Sequence, residues 1–142
     1  MKKFVILTNE KKVIVTQDGL KKYYDKINQF DIFVNIFSRQ LFHKGKPIKY
    51  IKGIPYNYFT FLLEMHHYKL PVTYNAIFEA VYPDQNFNCP ITKCNRVRRI
   101  IFTLRKKIRD LSIEITYVNG AYGLANAGKY CLIKLLIPKD RK

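Results

Sequence analysis

Carboxylates are scarce in this chain: 10 Asp and Glu stand against 26 Lys and Arg, a formal charge of +16 over 142 residues. Metal-assisted cleavage needs carboxylates or histidines gathered at ligand spacing, and Glu64, Glu79, Asp84 and Glu114 fall singly along the sequence. His66 and His67 are adjacent in a helical pattern and do not face one site. Cysteine is also sparse. Cys89, Cys94 and Cys131 are odd in number, and the gap between the first two has no matching second pair, even with His43, His66 or His67 recruited. Reduced structural thiols are the better reading, and no metal is expected. Neither a Gly-rich phosphate loop nor a nucleophile motif occurs, so no cofactor and no enzymatic activity are expected.

Long apolar runs are missing too. "MKKFVILTNEKK" reaches polar Asn9 too soon for a signal-peptide core, and nothing approaches the roughly 18 apolar residues of a membrane span. A cytoplasmic protein without a membrane partner is expected, nucleoid-associated if its cell is bacterial. What the chain does have is an ordinary apolar content, 48%, enough at this length for one hydrophobic core but short for two. Cations so poorly balanced repel one another, and the commonest compensation is a polyanionic partner, nucleic acid before an anionic membrane surface.

The first third reads as strands. "KFVILT" and "KVIVT" are β-branched runs flanking "NEK", a hairpin pattern. "DGLKKYYDKINQF" then places Leu20, Tyr23, Tyr24, Ile27 and Phe30 at helical spacing behind an Asp18 cap. "DIFVNIF" is extended, and in "QLFHKGKPIKYI" residues His43 to Pro47 form a Gly-centred turn. Beyond Pro55 the apolar period lengthens to about 3.6 residues, the helical value. "YNYFTFLLEMHHY" is a core helix, and "PVTYNAIFEAVY" is a second, capped by Thr73, with Ala76, Ile77, Ala80 and Val81 as its buried stripe. After the polar "DQNFNCP" a third helix spans about residues 92–109, capped by Thr92 or Asn95. "IEITYVNGAYGL" predicts a hairpin over 113–125 turning at Asn119–Gly120. "KYCLIKLLI" is apolar on both faces, either a strand covered on both sides or a partner interface.

On a wheel of about 100° per residue, Val97, Ile101, Leu104 and Ile108 of the third helix share one arc, with Ile100 beside them. Arg98, Arg99, Phe102, Thr103, Arg105, Lys106 and Arg109 take the opposite side, with Asn95 a turn earlier. A solvated outer face is the ordinary explanation for surface Lys and Arg. Two details argue against it here. Such a face mixes in Glu four residues before its cations, yet no acid appears until Asp110. An aromatic, Phe102, also sits in the middle of the polar side. On DNA it would meet a thymine methyl or sugar, beside bidentate Asn and Arg contacts to bases; a dimer contact or packing under the hairpin is the alternative.

From about Lys46 to Leu124 the chain resembles the winged helix-turn-helix effector domain of OmpR/PhoB-type transcriptional regulators. Their recognition helix is patterned V-D-V-H-I-x-R-L-R-K-K-L and their wing ends G-x-G-Y-R-L; here the helix reads "VRRIIFTLRKKI" and the wing "NGAYGL". The resemblance implies an α+β fold: an N-terminal antiparallel sheet, three core helices and a C-terminal hairpin wing. On this reading residues 1–40 are a strand-rich extension, in the same compact unit or acting as a docking or dimerisation module, and 41–142 are the DNA-binding domain. Arg105 matches a DNA-facing position, and Thr116 and Tyr122 match wing positions near the backbone or minor groove. Ile100, Thr103, Val118 and Gly123 depart from the family's His or basic residues, and Lys129 and Lys134 are candidate substitutes. The loop over 84–93 is longer than usual, and in relatives it contacts RNA polymerase or its sigma subunit. Met1 to about Ile36 is too short for the family's receiver domain, so no control by phosphorelay is expected.

The reading that follows is a sequence-specific, double-stranded DNA-binding regulator of transcription. Lys93, Asn95, Arg96, Arg98, Arg99, Phe102, Thr103, Arg105, Lys106 and Arg109 would lie at the major groove, and Thr116, Asn119 and Tyr122 at the minor groove. The alternative is a non-catalytic adaptor binding RNA polymerase or another protein, with accessory DNA contacts. The helix face lacks the several exposed aromatics of RNA-stacking modules, though eleven Tyr in the chain keep RNA open. A homodimer is likewise open.

Overall fold

The computed structural model describes residues 2–82 and 90–137. Among them the chain is a mixed α+β protein with four helices, a six-stranded sheet and a separate two-stranded sheet. In chain order the elements are β1 (Lys3–Thr8), β2 (Lys12–Thr16), α1 (Gln17–Asp25), β3 (Ile32–Asn35), β4 (Gln40–His43), β5 (Lys46–Pro47), α2 (Ile54–Tyr68), α3 (Tyr74–Val81), α4 (Pro90–Ile108), β6 (Glu114–Val118), β7 (Ala121–Ala125) and β8 (Tyr130–Leu135). Contacts divide them into a sheet unit, Met1–Ile48 with Gly128–Lys142, and a helical unit, Lys49–Ala127. The division thus falls after residue 48 and again before 128, not once at residue 40, because β4, β5 and β8 hydrogen-bond into the first unit's sheet.

In the sheet unit the strand order is β2-β1-β8-β3-β4-β5. β8 sits at the centre, antiparallel to β1 (Ile6 opposite Ile133) and parallel to β3 (Val34 opposite Leu132). Tyr130, Cys131, Leu132 and Ile133 are all buried, so of the two expectations for this run the strand covered on both sides holds. Alternation sorts the side chains: Phe4, Ile6, Phe33, Cys131 and Ile133 share one face and pack with Leu20 of α1 and with Phe30. Each such large side chain contributes about 1.5–3 kcal/mol when fully buried. Burial pushes the Cys131 thiol up to about 12, as a structural, unreactive cysteine requires; Cys89 lies outside the described residues.

α1 starts two residues earlier than the sequence suggests. Its N-cap is Thr16, and Asp18 lies inside the first turn, where a carboxylate is favourable. The helix ends at Asp25, and Ile27 belongs to a separate 3-10 turn, Ile27–Gln29. Buried Asn35 is satisfied, donating to the Tyr24 hydroxyl at 2.8 Å while its side-chain oxygen accepts from the Ser38 amide at 3.2 Å. Asn9, in the β1–β2 turn, donates to the Gly128 carbonyl and accepts from the Tyr130 amide, both at 2.8 Å, fixing the entry to β8. Gly128 has a φ of +68°, and a Cβ there would collide with the Asp31 carboxylate, so glycine is required twice over.

In the helical unit α2 packs on α3, α4 and β7. Pro55 lies in its first turn, and Lys69 closes it in the left-handed region (φ +57°), with the amides of Lys69 and Leu70 returning to the carbonyls of His66 and Met65. The Thr73 hydroxyl caps α3, accepting from the Ala76 amide at 3.1 Å. The buried pair on α3 is Ile77 and Phe78; Ala80, expected inside, is exposed, since the larger Phe78 fills the core. Helix α4 begins at Pro90, so Thr92 and Asn95 are interior residues rather than caps, and Lys93 belongs to the helix rather than to a loop. The remainder of that loop, residues 84–89, lies outside the described residues. Val97, Ile101, Leu104 and Ile108 are buried as the wheel requires, and Ile100 is half-buried. β6 and β7 pair across Asn119 (φ +53°) and Gly120 (φ +79°), the left-handed pair a type I′ turn needs. Val72, between α2 and α3, adds a third partner by exchanging hydrogen bonds of 3.1 and 2.7 Å with Tyr122. No helix among the described residues is long and apolar enough to cross a membrane.

Candidate nucleic-acid interface

The apolar stripe of α4 is sealed inside the helical unit, so the other side of the helix must face outward. Asn95, Arg98, Arg99, Phe102, Arg105, Lys106 and Arg109 are exposed there, Thr103 and Arg96 half-buried. Phe102 is 60% exposed and does not pack under the hairpin. The Lys106 ammonium stands 4.4 Å over its ring, a cation–π pair that holds charge above an apolar surface.

The cations of this face are not equivalent. Arg105 donates from two nitrogens to the Ile115 carbonyl, at 3.3 and 3.1 Å, and so holds β6 against α4. Arg98 donates from Nε to the Tyr74 hydroxyl at 3.0 Å. Arg96 stands 5.4 Å from the Tyr82 ring centre and Lys93 5.5 Å from that of Phe78; both serve α3 as much as any ligand. Lys107 reaches the Tyr50 carbonyl at 2.9 Å. Among the described residues Arg99 and Arg109 make no such bond, which leaves their guanidinium forks available.

Beside Arg98 lies a cluster that sequence reasoning did not assemble. Tyr74 at the start of α3, Tyr117 on β6 and Tyr122 on β7 meet edge to face or tilted, their ring centres 4.8 to 5.9 Å apart. Tyr122 is buried, 5% exposed, and donates to the Tyr74 hydroxyl at 3.2 Å. The wing contact expected of Tyr122 therefore gives way to a place inside the unit, because Val72 pins its backbone and Tyr74 takes its hydroxyl. Tyr117, 47% exposed, is the aromatic on the outer side. Burial acts to raise the Tyr74 phenol, but hydrogen bonding with Tyr122, Arg98 and Tyr117 outweighs it and lowers the group overall. In "IEITYV" Tyr117 falls in phase with buried Ile113 and Ile115, so alternation marked it as an inward position, and nothing local linked it to Tyr74.

On the hairpin, Thr116 is exposed and bonds the Gly123 carbonyl at 3.3 Å, and Asn119 is exposed at the turn. Val118, 63% exposed, gives the tip an apolar character. The described residues hold no group of three His, Cys, Asp or Glu able to bind a metal ion. Compared with protein-family models, with curated proteins and with solved structures, the chain matches none.

Proposed function

We propose that Lys49–Ala127 is a winged helix-turn-helix module and that the protein is a sequence-reading, double-stranded DNA-binding regulator of transcription. The observation that carries this reading is the outer face of α4, where Arg98, Arg99, Phe102, Lys106 and Arg109 stand exposed with no carboxylate among them. A helix about 10–12 Å wide fits the major groove of about 12 Å, and two unengaged arginines beside an exposed aromatic match guanine edges and a thymine methyl. The hairpin, braced by Val72 and Arg105, has the place of a wing, with Tyr117, Val118 and Asn119 at its outer side and tip. Arg98, whose Nε–H is taken by the Tyr74 hydroxyl, keeps its terminal N–H groups for a phosphate. Arg105 acts chiefly as a brace in this scheme, and Tyr122 entirely so.

Selection from a randomised duplex library, followed by fluorescence anisotropy across a salt series, tests the proposal. With about six phosphates neutralised, log K falls against log salt with a slope near ~5. Arg99→Ala with Lys106→Ala weakens binding most on the selected duplex, through the lost Arg99 base contact, and reduces the slope by about 1, the share of the Lys106 phosphate contact. A flat salt response or the absence of a selected consensus overturns the reading. The adaptor alternative rests mainly on residues 84–89, and no observation on the described residues favours it.

A further inference from the structure

A second concentration of charge lies in the sheet unit, around a cleft of about 580 Å³. Four lysines line it: Lys11 from the β1–β2 turn, Lys22 on α1, Lys26 just past its end, and Lys129 just before β8. Glu10 is the single carboxylate among the lining residues. Lys22 and Lys26 alone would have an ordinary explanation, since cations near a helix C-terminus are stabilised by its carbonyls. Lys11 and Lys129 have no such reason to be there. They come from opposite ends of the chain and are brought to the same opening by the sheet.

The walls that carry them are rigid. The β1–β2 turn is closed by the Thr8 amide on the Lys11 carbonyl at 2.9 Å and fastened to the β8 entry by Asn9. The backbone of Lys129 is held on both sides by Asp31: its amide donates to the carboxylate at 2.8 Å, and its carbonyl accepts from the Asp31 amide at 2.7 Å. The apolar part of the lining is half-buried Tyr23 together with Phe30, of which only 6% is exposed. The Lys129 ammonium lies 5.4 Å from the Phe30 ring centre.

A preformed cleft of this size falls within the roughly 300–1,000 Å³ of small-molecule sites. It is far larger than a bare phosphate needs. Its chemistry has two parts, ammoniums for a multiply charged anion and the Tyr23 ring for a planar apolar group, with Glu10 and Gln29 able to accept hydrogen bonds from hydroxyl or amino groups. We infer that this cleft binds a nucleoside phosphate, its phosphates among Lys26, Lys129, Lys11 and Lys22 and its base against the half-buried Tyr23. The site is separate from the α4 face and does not rest on the DNA-binding proposal.

Calorimetric titration of the full chain with ATP, adenosine and pyrophosphate tests this, using wild type, Lys26→Gln with Lys129→Gln, and Arg99→Ala with Lys106→Ala. All four positions are exposed, so each variant should fold, which circular dichroism confirms or denies. ATP is expected to bind more tightly than adenosine or pyrophosphate. The cleft variant should lose at least about ten-fold in ATP affinity, and the α4 variant should keep wild-type affinity. Unchanged ATP affinity in the cleft variant, loss in the α4 variant, pyrophosphate as tight as ATP, or no heat up to about 1 mM ligand would each overturn the inference. None of these results bears on duplex DNA binding.

Discussion

Lysines occur in both units, but the arginines are concentrated in one of them. Between Lys49 and Ala127 every arginine, namely Arg96, Arg98, Arg99, Arg105 and Arg109, lies on α4 or in the turn after it, while Arg39 is the one arginine among the described residues of the sheet unit. Lysine supplies the rest of that unit's charge, four of them around its cleft. The difference has chemical content. A guanidinium is a planar fork suited to a base edge or a carbonyl and keeps its geometry when engaged; an ammonium is a compact, freely turning charge suited to a phosphate cluster. On the functions proposed above, one unit would read and the other would hold an anion. Within α4 the division repeats on a smaller scale, for Arg105 is committed to Ile115 and Arg99 is not.

Three perturbations sharpen this contrast, in falling order of effect. Arg99→Lys keeps the charge but removes the fork, so affinity for the selected duplex should drop roughly 10–100-fold, about 1–3 kcal/mol for a bidentate base contact, while a random duplex is bound as before. Equal losses on both duplexes would mean Arg99 is only a phosphate contact. Tyr122→Phe removes a buried hydroxyl that bonds Tyr74 and should cost about 1 kcal/mol in denaturant unfolding with the salt slope of DNA binding unchanged; a shallower slope would return Tyr122 to the interface. The smallest effect concerns a cation the helical unit resists. Burial first and His67 second lower His66 below its usual 6.5. The unfolded chain then takes up the proton before the folded one, so the stability present above about pH 6.5 declines as pH falls toward the depressed folded value. Unfolding midpoints at about pH 7.5 and 5.5 should differ less in His66→Gln than in wild type.

Much of the helical unit was legible from local pattern. The burial of Val97, Ile101, Leu104 and Ile108, the Thr73 cap and the Asn119–Gly120 turn all follow from spacing and turn chemistry, which act within a few residues. What spacing cannot carry is identity of distant partners. Nothing near Tyr130 says that its strand enters between β1 and β3, so the unit boundary fell in the wrong place by sequence. Alternation likewise marks Tyr122 as one side of a strand without saying that Tyr74 and Val72 cover it, and Arg105 on an outward helical position without saying that a carbonyl lies within its reach. Phe78 and Ala80 flank Ile77 on opposite sides of α3, and the larger side chain is the one turned to the core, a choice that period alone left open. The same limits apply to the lysine cleft, whose four residues are unremarkable singly.

The central position of β8 has a consequence in time. Asn9 and Tyr130, bonded to each other, are 121 residues apart, and β1 and β3 cannot acquire their shared neighbour until the last strand is made. α2, α3, α4 and the β6–β7 hairpin find their partners within Lys49–Ala127, whereas the sheet must close a loop spanning most of the chain, the kind of contact that slows folding. Until then the backbone edges of β1 and β3 stand unpaired and attractive to other extended chains. The sheet can therefore close only after Tyr130–Leu135 has been synthesised, later than every contact within Lys49–Ala127.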